Sequence, residues 1–88
     1  MAITSGQTTV GLTATHIDGA SVNPVRLHIH NSDNTNNLYL GNESVTATTG
    51  LELLKLDSIE LQLNAGETLY AISTSGSHVV SWLKQSMD

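Results

Sequence analysis

The feature that most constrains this chain is an alternation of apolar and polar residues with a period of two. From 25 to 30, valine, leucine and isoleucine alternate with arginine and two histidines. From 59 to 64, isoleucine and two leucines alternate with glutamate, glutamine and asparagine. Successive side chains of a β-strand point to opposite faces, so this pattern is typical of strands with one buried face.

Further runs rich in β-branched residues, leucine and tyrosine predict more strands. They cover 8–15, 37–40, 44–47, 68–73 and 78–84, which makes seven candidates with the two above. The stretch 51–56 is an eighth candidate, predicted to be a strand or extended loop, although Glu52 and Lys55 at i and i+3 also suit a short helical turn. Glycines beside small or polar residues separate the runs and predict tight turns with positive φ.

These elements predict an all-β fold: a small antiparallel β-sandwich or a jelly-roll-like barrel of seven or eight strands. Residues 1–7 are small and polar apart from Ile3 and are predicted to form an N-terminal arm. Residues 8–88 are predicted to form a single β-sandwich domain.

Charge and composition argue against several kinds of partner. The chain has 88 residues, three basic and eight acidic side chains, and a formal charge of −5. A nucleic-acid footprint needs clustered positive charge, so no nucleic-acid partner is expected. No apolar run approaches the roughly 20 residues that span a bilayer, and the first residues lack a signal-peptide pattern. We therefore expect no membrane partner and a soluble chain that is made inside a cell.

The histidines and hydroxyl groups suggest chemistry only weakly. His28 and His30 lie two apart on one strand face and could share a metal with Asp33 or His16, but a polar row facing solvent or a subunit explains the same pattern. No nucleophile elbow, carboxylate pair or phosphate loop is present, and one small sandwich has little room for a substrate pocket. The sequence predicts no catalytic, cofactor or metal site, and therefore not an enzyme.

Apolar residues beyond the needs of one core predict an interface instead. A chain of this size buries only roughly 60% of its extended surface, which favours a stabilising partner. The runs 69–72 and 79–83 have apolar residues at both odd and even positions, and hence on both faces of a strand, and 51–56 is rich in leucine. Trp82 is interpreted as a core or interface residue rather than a sugar-stacking platform with Tyr39 and Tyr70. The candidate subunit or partner interface comprises Leu51, Leu53, Leu54, Leu56, Trp82, His28 and His30.

The order of several motifs resembles a family of small β-sandwich virion proteins of tailed bacteriophages. In chain order these motifs are 24–31 (PVRLHIHN), 37–42 (NLYLGN), 45–46 (VT), 49–53 (TGLEL), 63–67 (LNAGE) and 69–72 (LYAI). In that family a strand ending in asparagine precedes an aromatic-apolar-glycine strand, a Val-Thr step, a Gly-Glu turn and a Leu-Tyr-Ala strand. The likeness covers about residues 8 to 84, and the leucine-rich stretch 51–56 departs from the commonest pattern.

The resemblance implies a non-enzymatic structural role in a virion. The expected protein is a capsid decoration or cement protein that binds the major capsid protein on the outer head surface. It is expected to act as a homo-oligomer, with a trimer favoured, and to stabilise the shell. The alternative is a tail- or fibre-associated binding module that recognises a host-surface glycan, which exposure of Trp82 and Tyr39 on one face would favour.

Overall fold

A computed structural model describes residues 3–20 and 22–86, and these form eight β-strands. The strands are β1 Ile3–Val10, β2 Thr15–Gly19, β3 Val25–Asn31, β4 Leu38–Gly41, β5 Leu51–Leu53, β6 Ser58–Leu63, β7 Thr68–Ser73 and β8 His78–Ser86. The described residues form no helix, and hence none that is long and apolar enough to cross a membrane. The all-β prediction is confirmed, and 51–53 is a strand rather than a helical turn.

The strands build two four-stranded antiparallel sheets. Sheet A has the order β1-β8-β3-β6, and sheet B has the order β2-β7-β4-β5. Strands that are neighbours in sequence mostly lie in different sheets, and this order of eight strands is that of a jelly roll, which satisfies most backbone groups within two short stacked sheets. Each sheet therefore has two edge strands: β1 and β6 in sheet A, β2 and β5 in sheet B.

The core lies between the sheets. It is built from every second residue of each strand, whose side chains point inward; we call these positions the inward parity and the alternate positions the outward parity. In β3 the inward residues Val25, Leu27 and Ile29 are at most 6% exposed. Their partners on β6 are Leu63, Leu61 and Ile59 in that order. Leu63 is buried as predicted, whereas Leu61 is only half-buried, because β6 is an edge strand with no neighbour on its outer side among the described residues.

The structure describes residues 3–7 of the predicted arm as part of a strand. These residues form the first part of β1, which pairs with β8 without interruption from Ile3↔Gln85 to Val10↔His78. The strand predicted at 8–15 is interrupted at 11–14, since β1 ends at Val10 and β2 begins at Thr15. Residues 1 and 2 lie outside the described residues.

The strand predicted at 44–47 is a loop whose valine is buried. Val45 is 6% exposed and lies against Gly41 and Gly50, where an added Cβ would approach its Cγ2 to 2.7 and 2.9 Å. The two glycines are therefore needed for close approach rather than for positive φ. Backbone bonds from Val45 N to Asn42 O and from Gly50 N to Thr46 O close the loop. The run at 44–47 therefore contributes one buried side chain, that of Val45, to the packing of a loop and does not form a strand.

The antiparallel order places four loops at the same end of the sandwich. They are 11–14, 74–77, 32–37 and 54–57. Each connects a strand of one sheet to the strand that faces it in the other sheet, so the loops lie side by side in the order of the strands. Backbone bonds link them, from Ser73 N to Gly11 O and from Asn31 N to Asp57 O. We call this end the loop end.

The burial difference along β3 and β6 gives a test of the packing. Replacing Leu27 by Ala should lower the free energy of unfolding by about 2–5 kcal/mol, because it leaves a cavity in the closed part of the core. Leu61→Ala should cost roughly half as much, because its side chain is already partly in water. Urea unfolding measures both, with Leu83→Ala on the outer face as a control near zero. Equal losses at the two leucines would contradict this packing.

A candidate interaction surface at the leucine edge

The turn from 54 to 57 presents two exposed leucines at the loop end. Asp57 N donates to Leu54 O at 3.1 Å, so Lys55 and Leu56 are the central residues of a β-turn. The side chains of Leu54 and Leu56 are 52% and 57% exposed. Leu51, 59% exposed, begins the edge strand β5 three residues before Leu54. We call Leu51, Leu54 and Leu56 the leucine edge.

Leu56 has a backbone conformation that does not favour leucine. Its φ is 59°, and among the described residues only Leu56 and Gly66 have positive φ. Gly66 occupies the same position in a second turn, closed by Glu67 N and Asn64 O at 3.0 Å. The left-handed region costs a residue with a Cβ about 1–2 kcal/mol, which glycine avoids. The chain thus uses glycine in one turn and an exposed leucine in the equivalent position of the other.

The side-chain amides of Asn37 and Asn31 both bond to the backbone of the leucine turn. The amide of Asn37 accepts from Lys55 N at 3.1 Å through Oδ1 and donates to the Glu52 carboxylate at 3.1 Å through Nδ2. The Asn31 amide donates to Leu54 O at 3.2 Å. Rigid apolar groups lose little conformational entropy on binding, so they make effective contact residues.

Asn31 belongs to a buried polar network beneath the loop end. Its Nδ2 lies 3.2 Å from the carbonyl oxygens of Asn36, Leu53 and Leu54, which can only accept. Its Oδ1 therefore faces His78 Nε2 at 2.6 Å and also accepts from Asp33 N. An amide oxygen cannot donate, so Nε2 carries the proton of the imidazole.

The other imidazole nitrogen extends the network to the hairpin between β7 and β8. Nδ1 of His78 lies 2.6 Å from Ser73 Oγ and, in this tautomer, accepts the hydroxyl proton. Ser73 Oγ in turn accepts from Ser75 N at 3.1 Å. Every polar atom of the imidazole is thus paired while the ring is neutral, and the network ties the loops 32–37, 54–57 and 74–77 together.

The sequence of hydroxyl, imidazole and amide resembles the arrangement of a nucleophilic centre, but its burial argues for a structural role. A nucleophile needs a path by which substrate reaches its oxygen. Ser73 is 3% exposed and His78 and Asn31 are 0% exposed. These groups pair with one another inside the fold and have no surface on which a substrate could bind.

Burial sets the ionisation of the network. It lowers the pKa of His78, and the negative charge of Asp33, whose Oδ2 is 3.9 Å from Nδ1, opposes that shift. The backbone N–H groups of Asn36 and Thr35 donate to Asp33 Oδ1 and lower the pKa of this carboxyl. Near neutral pH the network therefore contains a neutral imidazole and an ionised, hydrogen-bonded carboxylate.

The structure divides the predicted interface residues among three places. Leu51, Leu54 and Leu56 form the leucine edge, whereas Leu53 is 5% exposed and belongs to the core, so it cannot contribute side-chain contacts. His28 and His30 lie on the outer face of sheet A, beside a shallow depression of about 160 Å³ along β8. Within residues 3–20 and 22–86, no group of three or more His, Asp or Glu is placed to hold a metal ion.

Trp82 faces the inside of the sandwich. Its partners across the strands are Gly6 and the fully buried Ile29, and its Nε1 donates to Thr8 Oγ1 at 3.2 Å. A Cβ on Gly6 would come within 2.8 Å of the indole ring, so glycine makes room for it. The outward parity of Tyr39 on β4 places that ring on the outer face of sheet B, where its hydroxyl donates to Glu52. The two aromatic rings therefore do not share a face.

Sequence reasoning missed the buried network, although the alternation contained the signal for it. Asn31 has the inward parity of Leu27 and Ile29, and His78 has the inward parity of Val80. A polar residue at an inward position must find hydrogen bonds inside the fold. The partners of that network lie up to 47 positions apart in the chain, so the pattern marks the residues without pairing them.

Comparisons with known proteins establish the fold alone. No protein-family model matches the chain, and no curated protein matches it. A solved structure of the Bacillus endospore appendages, which form a family of disulfide-linked pili, aligns with a TM-score of 0.59 and 13% identity over 99% of this chain and 87% of that one. The chain is therefore an all-β protein of the two-sheet class, similar in fold to a pilus protein.

The neutral, buried imidazole predicts acid sensitivity. The pKa of His78 is lower in the folded state than its ordinary value of 6.5, so the unfolded state binds this proton at higher pH. The stability contribution is fully present above about pH 6.5 and is lost as the pH falls from there through the lowered pKa. Urea unfolding at a series of pH values between 7 and 5 should show this decline.

A histidine variant separates this group from the other titrating residues. His78→Gln should lower the free energy of unfolding at pH 7 by about 1–3 kcal/mol, because it breaks buried hydrogen bonds, and should flatten the profile between pH 7 and 5. The control variant His28→Gln, at an exposed position, should show the same decline in the free energy of unfolding as the parent protein. A profile unchanged in His78→Gln would assign the acid sensitivity to another group.

Proposed function

We propose that this chain is a non-enzymatic structural protein of a phage virion that decorates the outer surface of the head as a homo-oligomer and stabilises the shell. The observation that carries the proposal is the leucine edge. It is a rigid apolar surface at one end of a small jelly roll, and it includes a leucine in a conformation that favours glycine. The buried polar network is closed to substrates, which supports a binding role over a catalytic one.

The conformation of Leu56 is the strongest part of this argument. A surface leucine in the left-handed region is unfavourable both for its backbone and for its exposed apolar side chain. Its counterpart Gly66 shows that the same turn forms without this cost. A contact that buries Leu56 against a partner offsets the cost, and the expected partner is the major capsid protein. Lys55, between the two leucines, gives the surface one positive charge in a chain of net charge −5.

The fold neighbour supports a structural role in a general way. It comes from endospore appendages that form disulfide-linked pili, so a similar fold occurs in a protein of a pilus. This chain has no cysteine and cannot form such disulfides. Assembly through it therefore depends on non-covalent contacts.

The tail or fibre module that recognises a host-surface glycan is the second proposal. An aromatic platform that includes Trp82 and Tyr39 would favour it. Trp82 faces inward and Tyr39 lies on the other sheet, so this platform is not formed. The decoration role is therefore favoured.

Binding to phage heads tests the decoration role. Leu54→Ser with Leu56→Ser should weaken binding to heads that lack this protein by roughly thirtyfold, about 2 kcal/mol, because two rigid apolar contact residues are removed. The free energy of unfolding should fall by less than about 1 kcal/mol, because both side chains are already half exposed. Co-sedimentation with heads and urea unfolding measure the two quantities.

A matched control is available at the opposite end of the sandwich. Val22 is 83% exposed and lies between β2 and β3, so Val22→Ser should change neither head binding nor stability. If the parent protein does not bind heads and instead binds host glycans, the decoration proposal is wrong and the tail module takes its place.

Leu56→Gly separates binding from folding more sharply. Glycine accommodates a φ of 59° without steric cost but also adds entropy to the unfolded chain, so the free energy of unfolding should stay unchanged or rise by up to about 1 kcal/mol. Head binding should nevertheless weaken. A variant that is destabilised and still binds fully would show that Leu56 serves the fold and not the contact.

A further inference from the structure

The outer edge of β1 lacks the features that usually protect an exposed strand. β1 is eight residues long and, among the described residues, has β8 as its only neighbour in the sheet. Its sequence, ITSGQTTV, contains no charged residue and no proline. Over residues 3–10 the register with β8 runs without a shift, so no bulge turns the edge away. Such an edge is a ready template for a further strand.

The other three edges each carry at least one protective feature. β5 has only three residues. β2 has five residues and a register shift between His16 and Asp18, and the Asp18 carboxylate is paired with Lys84 at 3.1 Å. β6 has six residues and carries Glu60. Short length, bulges and charges all disfavour pairing between sheet edges. The contrast within one molecule singles out β1.

We infer that β1 is a self-association edge, which pairs antiparallel with β1 of a second copy to form one continuous eight-stranded sheet. A second copy is the favoured occupant because the strand is uncharged. Two molecules of charge −5 repel, and contact is least costly where neither presents a charge. A two-fold axis brings the same uncharged strand from both copies together, whereas contact through β6 would bring two Glu60 side chains together.

The pleat of the strand restricts the register of this contact. The outer faces of both sheets must lie on the same side, so each residue pairs with one of equal parity. With Gly6 on the two-fold axis, Thr4 pairs with Thr8 and Ser5 pairs with Gln7. Threonine pairs and uncharged polar pairs across strands are favourable. A shift of one residue would bring an inward threonine beside an outward residue and break the continuity of the face.

This inference specifies the homo-oligomer of the proposed function as a two-fold dimer, in place of the trimer expected from the resemblance, and it does not rest on head binding. β1 and the leucine edge lie on opposite sides of the sandwich, since β1 is one edge of sheet A and the leucine turn leads into β6 at the other. Self-association is measured without phage heads. Loss of head binding in the leucine variants and loss of self-association in β1 variants are therefore separate outcomes.

The test introduces like charges on the outer face of β1. In the full-length chain, Ser5→Glu with Gln7→Glu should raise the dissociation constant of the dimer by roughly tenfold or more, because symmetry brings the new charges opposite each other. Sedimentation equilibrium measures this as loss of the species with twice the 9.3 kDa chain mass. The matched control, Ser58→Glu with Gln62→Glu, adds the same charge to exposed positions of the opposite edge strand of the same sheet and should leave the dimer intact.

Charge complementation protects the test against a variant that merely misfolds. Ser5→Lys with Gln7→Lys should also dissociate, and mixing it with the glutamate variant should restore a dimer, because Ser5 of one copy faces Gln7 of the other. A parent protein that is monomeric at high concentration would overturn the inference. Dissociation in both the β1 and the β6 variants would also overturn it, because it would indicate a head-to-tail contact of β1 with β6, the geometry that a threefold ring requires.

Discussion

The hydrogen bonds of the Asn31 side chain hold together the loops on which the candidate surface stands. One amide donates to carbonyl oxygens of Asn36 in the loop before β4 and of Leu53 at the end of β5, and it accepts from the His78 imidazole and from Asp33 N. Because the Asn31 side chain is fully buried, its bonds to Leu53 O and to His78 form away from competing water. The loss of one partner would leave a buried polar atom unpaired, which costs more than the bond itself contributes. The loops of the loop end are therefore fixed jointly rather than one by one.

This rigidity gives the leucine edge its physical meaning. An exposed leucine on a mobile loop would be ordered at an entropic cost on binding, whereas the turn at 54–57 is already held by Asn31 and Asn37. The unfavourable φ of Leu56 occurs in a turn whose neighbouring residues are held by the bonds from Asn31 and Asn37. The same jelly roll leaves its two sides different, with an apolar edge beside β6 and a neutral polar edge along β1. Such a division suits a subunit that contacts a surface with one side and its own copy with the other.

The core and most strand positions were predictable because burial in a sheet follows parity. The alternation at 25–30 correctly placed Leu27 and Ile29 inside and His28 outside. The alternation did not predict burial correctly at two kinds of position. Val45 is buried although it lies in a loop, and Leu61 is only partly buried although it points inward, because it lies on an edge strand. The alternation also could not separate an arm from an edge strand at 3–7, because a short polar β-branched segment becomes a strand only when β8 is there to pair with it.

The sequence by itself determined the β-structure, the inward positions and the absence of cysteine cross-links, since each depends on residue type and local period. The leucine-rich stretch is also visible in the sequence, but its pattern does not distinguish Leu53 from Leu54. Only the tertiary structure decided that Leu53 enters the core while Leu54 and Leu56 face outward, because the strand ends at 53 and a turn with one left-handed residue follows. It also decided that Trp82 faces inward, since Gly6 leaves room for the indole there. Contacts between residues distant in the chain set these outcomes, and no local pattern encodes which distant strand becomes a neighbour.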